Sequence, residues 1–376
     1  MTDVLHVISG LGTGGAETML VQLASGLQAT GLDQHVVSVS GSGPRAEELG
    51  ALGIAVTALG IRSVFDGPGG LFRLTRLIGR LRPRLVQGWM YHGDLFAALA
   101  HRLAPGRRGR GLFWNLRASN VDEERYAGIL NWNVRLSSWP DVVIANSAAG
   151  VAHHVARGYR PRRVEVIANG VDAEKFRPDA AARASVRREL GISDDAIVAI
   201  HAARVDVMKD HALFLAAIAA APDICGVMVG AGTENLACPP NVRALGLRND
   251  MPALYAAADI VVSTSAFAEG FSNAIAEGMS AGLVPVATDV GDARVLIGET
   301  GQVVPPRDSE ALHRALANEA SVPPQVRQAR GAAARRRVME QFTLAKAVDA
   351  YARLYAEYAT GQGALAPIGR SAPTGS

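Results

Sequence analysis

The chain has 376 residues, 49% of them hydrophobic, enough to bury two cores of ordinary domain size. Its two cysteines, Cys225 and Cys238, form neither a disulfide framework nor a metal-ligand spacing, and no uninterrupted apolar run reaches the ~18 residues of a membrane span. Net charge is +3 but uneven: residues 1–176 hold 19 Lys and Arg against 14 Asp and Glu (+5), and the remainder holds 19 against 21 (−2).

The opening MTDVLHVIS places Asp3 where a signal peptide has a basic region and runs into a glycine-rich loop, so the expected location is the cytoplasm. Three arginine clusters, Arg80, Arg82 and Arg84, then Arg107, Arg108 and Arg110, then Arg160, Arg162 and Arg163, suit peripheral contact with anionic lipid at the inner membrane face or with an anionic acceptor. They suit ordinary solvated loops equally well. Nucleic acid is not an expected partner, because aromatic residues are few (5%) and are not interleaved with these clusters.

Residues 4–8 read as a buried strand and 16–27 as an amphipathic helix, with Gly10, Gly12 and Gly15 between them in the G-x-G-x-x-G spacing of a dinucleotide loop. That fingerprint needs an acid at the end of the second strand to take the ribose hydroxyls. The second strand, 35–39, ends instead in Ser40-Gly41-Ser42, which disfavours a nicotinamide oxidoreductase. Strands at 55–59, 85–89, 112–116 and 141–145 then alternate with helices at 71–81, 95–103 and from Asn146-Ser147 through Arg157. Such alternation predicts a parallel sheet covered on both faces, with ligands at the carboxyl ends of its strands. Two loops there carry chemistry: 89–94, with His92 and with Asp94 expected as a helix cap, and 115–120, with Arg117 suited either to an acceptor or to holding the loop. A lone His after a strand also reads as a packing residue. A strand at 164–168 follows; the Asn169-Gly170 turn, Pro178 and a polar Ala-rich segment to Arg188 then read as a linker, with the domain boundary near residue 178.

A strand over 196–203 opens a second parallel sheet and ends in Arg204-Val205-Asp206-Val207-Met208-Lys209. Arg204 offers a planar fork and Lys209, one of three lysines, a mobile point charge, a combination able to follow phosphate oxygens. A helix at 213–220, strands at 227–229 and 242–245, and the loop Gly246-Leu247-Arg248-Asn249-Asp250 follow. The stretch 259–292 is a strand (260–262), the loop Ala268-Glu269-Gly270, a helix (272–281) and another strand. Gly270 allows a tight turn, and Ser272 as a cap leaves the amides of Phe271, Ser272 and Asn273 to meet an anion. Glu269 and Glu277 flank the same helix start, and ionised carboxylates accept the paired hydroxyls of a sugar or ribose. Each Glu alone also reads as a dipole-favoured or solvated residue. Phosphate, ribose and sugar together point to a nucleotide sugar. Helices at 310–317, 325–341 and 342–358 close the fold, and 361–376 read as a disordered tail.

The segment AFAEGFSNAIAEGMSAG resembles the Glu-x7-Glu signature of glycosyltransferase family 4 (group 1), retaining enzymes of the two-domain GT-B fold. The resemblance implies an α/β protein of two facing Rossmann-like domains with an interdomain cleft: 1–177 for the acceptor, 178–342 for the donor, and 343–360 as a helix crossing back. It implies metal-independent, retaining transfer of a hexosyl group from a nucleotide-diphosphate sugar, a UDP-sugar foremost, to a hydroxyl of a glycan, glycolipid or lipid-linked acceptor in polysaccharide or cell-envelope synthesis. Carried over to this chain, Glu269 lies near the donor sugar, Glu277 binds the ribose, Arg204 and Lys209 meet the leaving diphosphate, and His92 contacts the transferred sugar. Gly270, Phe271, Ser272 and Asn273 belong to the donor site, with Leu247 and Arg248 in the base-reading loop. GLGTGGAE, with Gly12, Gly14 and Gly15, resembles the family's cleft loop, and Asn146-Ser147 its NS turn. No cofactor and no metal are expected, since the protein's own cations face the diphosphate. The sequence departs from the family at Ala203, where Gly is commoner, and at Pro285, which lies one residue later than usual; both predict local backbone changes. A GT-B epimerase or phosphorylase and a non-catalytic nucleotide-sugar sensor are the remaining alternatives.

Overall fold

The computed structural model describes residues 2–117 and 123–359. Seven β-branched or apolar runs, β1 (Val4–Ile8), β2 (Gln34–Ser38), β3 (Ala55–Ala58), β4 (Leu85–Trp89), β5 (Gly111–Leu116), β6 (Val142–Ala145) and β7 (Val164–Val166), form a parallel sheet in the order 3-2-1-4-5-6-7. Six more, β8 (Ile197–Ala202), β9 (Ile224–Val229), β10 (Val242–Ala244), β11 (Ile260–Ser263), β12 (Val284–Thr288) and β13 (Gln302–Val304), form a second parallel sheet in the order 10-9-8-11-12-13. The central strands β1, β4, β11 and β12 are buried throughout, as parallel strands covered by helices on both faces must be. The two Rossmann-like α/β domains implied by the alternating pattern are therefore present.

Each sheet has an apolar core on both faces. One core of the first sheet is completed from the far end of the chain, because Ala347, Val348, Tyr351, Leu354 and Tyr355 of the helix Leu344–Ala359 pack against it. The crossing point is fixed by backbone: Val171 N–H donates to Phe342 O at 2.8 Å and Leu344 N–H to Val171 O at 2.8 Å. Inside the first domain the Tyr351 hydroxyl accepts from Asn115 Nδ2 at 2.9 Å and from Arg117 Nη2 at 2.8 Å.

Three expectations are corrected. Residues 89–94 are not a loop, because the helix Met90–Leu103 starts directly after β4, with Met90 at φ +62° making the turn. Asp94 consequently sits inside that helix rather than capping it; its carboxylate is fully buried and accepts the Asn115 amide at 3.2 Å. The Ala-rich segment taken as linker is a helix, Ala180–Glu189, capped by Asp179 through the Ala182 amide at 2.9 Å. Four further helices, Pro44–Ala51, Glu123–Leu136, Met251–Ala257 and Ala293–Ile297, have no counterpart among the expected elements; the first buries only Leu49, so it shows no apolar stripe. Residues Ala118, Ser119 and Asn120 of the loop 115–120 and the tail 361–376 lie outside the described residues.

The helix Ala180–Glu189 is held by charge. Arg187, with its side chain 1% exposed, donates to Asp259 Oδ2 at 2.9 Å and to the carbonyls of Ala257, Ser193, Asp194 and Ala196. Arg183 meets the other oxygen of Asp259 at 2.8 Å from a third-exposed position. Removing the buried partner leaves those acceptors unpaired, so Arg187→Ala is expected to cost ~3 kcal/mol in denaturant unfolding. Arg183→Ala is expected to cost about 1 kcal/mol or less; equal losses would contradict this division.

Candidate active site

In both sheets the strand order reverses beside a central strand, between β1 and β4 and between β8 and β11. Loops leaving the carboxyl ends on either side of such a switch point diverge and open a crevice. Arg204 and Lys209 follow β8, Glu269 follows β11, and in the first domain the loop with Gly12 and Gly14 follows β1 and His92 follows β4.

The two second-domain loops are stitched to each other. Thr264 Oγ1 donates to Lys209 O at 2.7 Å and the Ala266 amide to Met208 O at 2.8 Å. This brings Lys209 Nζ into an ion pair with Glu269 Oε2, the oxygen that also accepts from Ser265 Oγ at 2.7 Å. Both charged side chains are largely buried, 21% and 15% exposed. Ala268, just before Glu269, has φ +63°, a conformation a non-glycine residue holds only where its surroundings impose it. Arg204 stands on the rim, 60% exposed, and pairs with Asp206 at 3.0 Å. Burial raises the Asp206 pKa, but the Met208 amide, Arg204 and the nearby Lys209 charge outweigh it and hold the carboxyl below its usual value. Asp206 thereby ties Arg204 and Lys209 to one neighbourhood.

Ser272 is the residue before the helix Asn273–Ser280, yet its hydroxyl makes no capping bond, so the expected side-chain cap is absent. Phe271 is 5% exposed and packs against Phe342 with ring centroids 5.5 Å apart, which leaves its main chain, not its ring, at the helix start. Asn273 Oδ1 accepts from Asn169 Nδ2 at 2.7 Å, and Asn169 Oδ1 in turn accepts from Arg117 Nη1. The Arg117 guanidinium lies over the Trp89 ring, 4.8 Å from its centroid, and burial lowers its pKa. These contacts tie Arg117 to Asn169, to Tyr351 of the helix Leu344–Ala359 and to Trp89 of β4.

Glu277 lies further along the same helix. Burial pushes its pKa up to about 7, against the opposing pull of the Tyr255 hydroxyl and the Lys175 charge. His92, half-buried in the first turn after β4, has its pKa lowered by burial. Leu247 is 70% exposed, whereas Arg248 is drawn into ion pairs with Asp250 at 2.7 Å and Glu189 at 2.8 Å.

The two carboxyl edges meet. A Cβ on Gly270 would lie 2.7 Å from Asn146 Oδ1 and 3.0 Å from Ser147 Oγ, and one on Gly15 would lie 3.5 Å from Asn273 Nδ2. Asp292, after β12, reaches across to the amides of Ala148 and Ala149 at 2.8 and 2.9 Å. Gly12 faces open space, while Gly14 precedes the first helix with the Glu17 carboxylate folded against it. The fold thus gathers Lys209, Glu269 and Arg204 at the edge of the second sheet, and brings Gly270 and Asn273 of the same domain against Asn146, Gly15 and, through Asn169, Arg117 of the first; Glu277, Leu247, Arg248 and His92 each stand in their own surroundings. Ser265 and Asp292 carry no role in the sequence patterns, and Asn169 there is part of a turn. Their partners lie 4, 144 and 104 residues away, and only the Ser265 pairing is near enough in the chain to leave a local signal.

Comparison with known proteins agrees with this geometry. Residues 13–175 match the profile described as Glycosyltransferase Family 4, and residues 196–319 that described as Glycosyl transferases group 1. The D-inositol 3-phosphate glycosyltransferase of Streptomyces coelicolor is 26% identical over 385 residues, covering 86% of this chain and 82% of the relative. That of Streptomyces scabiei is 29% identical over 211 residues, a match spanning 49% of this chain and about half (47%) of the relative's length. Among solved structures, Anabaena HepE in complex with UDP-glucose superimposes with TM-score 0.83 at 22% identity, covering 95% of this chain and 100% of HepE, a likeness of fold. Two parallel-sheet domains meeting at their carboxyl edges, with matching profiles on both, establish that the chain belongs to the group 1 (family 4) glycosyltransferases of GT-B fold.

Proposed function

We propose that this chain is a retaining glycosyltransferase that moves a sugar from a UDP-sugar to an acceptor hydroxyl, without a metal ion. The observation that carries the reading is the half-sheltered Lys209 and Glu269 pair at the switch point of the second sheet, beside a helix start that lacks a side-chain cap. The UDP-glucose complex of HepE, a protein of like fold, supports the choice of donor.

In this reading the donor diphosphate lies at the start of the helix Asn273–Ser280, where backbone amides and the helix dipole favour an anion. The bond from the sugar carbon to the β-phosphate oxygen breaks. The acceptor hydroxyl oxygen bonds to that carbon from the same face, and its proton passes to the departing phosphate oxygen. Negative charge grows on the diphosphate as it leaves, and Lys209 and Arg204 stabilise it. Arg204 is poised for this because its pair with Asp206 is exposed, worth about 1 kcal/mol or less, so a doubly charged phosphate competes for it readily. Glu269 holds the Lys209 ammonium and offers its carboxylate to a sugar hydroxyl; His92 faces the transferred sugar; Glu277 takes the ribose hydroxyls; the main chain of 246–250 reads the base.

The acceptor in this reading is a hydroxyl of a glycan, glycolipid or lipid-linked sugar in polysaccharide or envelope synthesis, at a cytoplasmic site. The names of the curated relatives add a phosphorylated cyclitol as an acceptor to try. Among the described residues no helix is long and apolar enough to cross a membrane. Peripheral contact of the first domain is supported by Phe65 and Phe72, 91% and 66% exposed, in a segment that also carries Arg62, Arg73, Arg76 and Arg80.

Screening UDP-glucose, GDP-mannose and ADP-glucose for thermal protection identifies the donor. With that donor, Lys209→Ala and Arg204→Ala are each expected to lower kcat by ~10²–10³, the exposed Arg204→Ala with Tm close to wild type and Lys209→Ala with a lower Tm because it strands Glu269, and EDTA to leave turnover intact. Unchanged kcat in both variants would sink the mechanism. Glu277 gives a second check. Its folded pKa, about 7, exceeds the ordinary 4.5, so its protonated form contributes stability that is fully present below pH 4.5 and is lost as pH rises through about 7. The stability difference between wild type and Glu277→Gln is therefore expected to move against wild type across that window. A difference that stays flat from pH 4.5 to 8 contradicts the buried-carboxyl assignment.

A further inference from the structure

We propose that Asp292 is a positioning residue for the transfer: it clamps the Glu269-Gly270 loop of the donor domain onto the first helical turn after β6 of the other domain. The inference rests on the reading of Glu269 and Lys209 as the donor-side chemistry, and concerns how that chemistry is aligned with the opposite wall.

The helix Ala148–Ala156 begins with amides that have no partner within the helix. Ser147 Oγ accepts the Gly150 amide at 3.0 Å and Ser147 O the Val151 amide at 3.3 Å, which leaves Ala148 and Ala149. Those two amides donate to the two oxygens of Asp292, Oδ2 at 2.8 Å and Oδ1 at 2.9 Å. A carboxylate supplies both acceptors at once, with its charge at the favourable end of the helix dipole. A first-domain helix is thus capped by a second-domain side chain.

The same residue grips the catalytic loop through its backbone. The Asp292 amide donates to Gly270 O at 2.9 Å. Gly291, at φ +64°, packs so tightly that a Cβ there would lie 2.5 Å from Gly270 O and closer still to Glu269 O. From the other side, Asn146 Oδ1 and Ser147 Oγ fill the space where a Gly270 side chain would go. The Glu269-Gly270 loop is therefore held between the Gly291-Asp292 turn behind it and the Asn146-Ser147 turn in front. Opening the cleft breaks both charge-assisted hydrogen bonds together, so Asp292 sets the position of Glu269 and Lys209 relative to the first domain only when the domains are closed.

The test combines hydrogen exchange, UDP binding and turnover of UDP-glucose by the full chain. Asp292→Ala is expected to speed exchange in peptides covering 146–152 and also 265–272, to leave the Kd for UDP within about threefold, and to lower kcat ~10–100-fold, the scale of a misplacement of about 1 Å. Asp292→Asn, which keeps one acceptor, should recover part of kcat. Ala148→Pro removes one of the two donors at a helix position that tolerates proline and leaves Asp292 intact; it should move exchange and kcat in the same direction. Faster exchange at 146–152 alone would make Asp292 a helix cap and nothing more, overturning the proposal, as would wild-type kcat in both Asp292→Ala and Ala148→Pro. A fall in UDP affinity matching the fall in kcat would also overturn it, by placing Asp292 in the donor site. Failure of wild type to bind UDP or consume UDP-glucose counts against the donor reading instead, and the exchange at 265–272 still decides the clamp.

Discussion

Two all-parallel sheets meet carboxyl edge to carboxyl edge, and the polar contacts of the site follow from that arrangement. Every strand of a parallel sheet ends on the same side, so the loops carrying Arg204 and Glu269 and the helix start carrying His92 all leave the carboxyl edges of their sheets. Backbone from one domain then passes close to backbone and side chains of the other. Gly270 answers to this packing, since no side chain fits between it and the Asn146-Ser147 turn. Tight approach limits which residues can line the cleft before any chemistry is considered.

Two unlike connections hold the domains together. One is the return of the chain through the helix Leu344–Ala359, where apolar burial and the Tyr351 hydroxyl join the end of the sequence to the first core. Its contacts are with the first domain, although the chain reaches it from the second. The other is polar and lies in the cleft: Asn169 to Asn273, and Asp292 to Ala148 and Ala149. The Asp292 bonds are charge-assisted and the stronger of the two, whereas the Asn169 to Asn273 bond joins neutral amides.

Charge is distributed along the same lines. Buried cations in the scaffold are satisfied by fixed partners, Arg187 by Asp259 and main-chain carbonyls and Arg117 by Asn169 and Tyr351. At the switch point each cation is held by one carboxylate, Lys209 by one oxygen of Glu269 and the exposed Arg204 by Asp206. A phosphate can therefore enlist the second pair without dismantling the fold, whereas the first pair is structural.

The layered α/β class, the glycine loop after β1, the two cations after β8 and the Glu269 to Glu277 signature were all legible in the residues, because each depends on hydrophobic period or on spacing over fewer than ten residues. Helix starts were less legible: Met90 begins a helix straight from a strand, and Pro44–Ala51 and Ala180–Glu189 bury too few apolar side chains to show a stripe. Contacts between Arg117, Asn169 and Asn273, the internal place of Asp94, and the grip of Asp292 on Ala148 and Ala149 depended on folding. They join residues 21 to 144 positions apart, and a hydrogen bond across such a distance leaves no periodicity or local spacing for either partner to display.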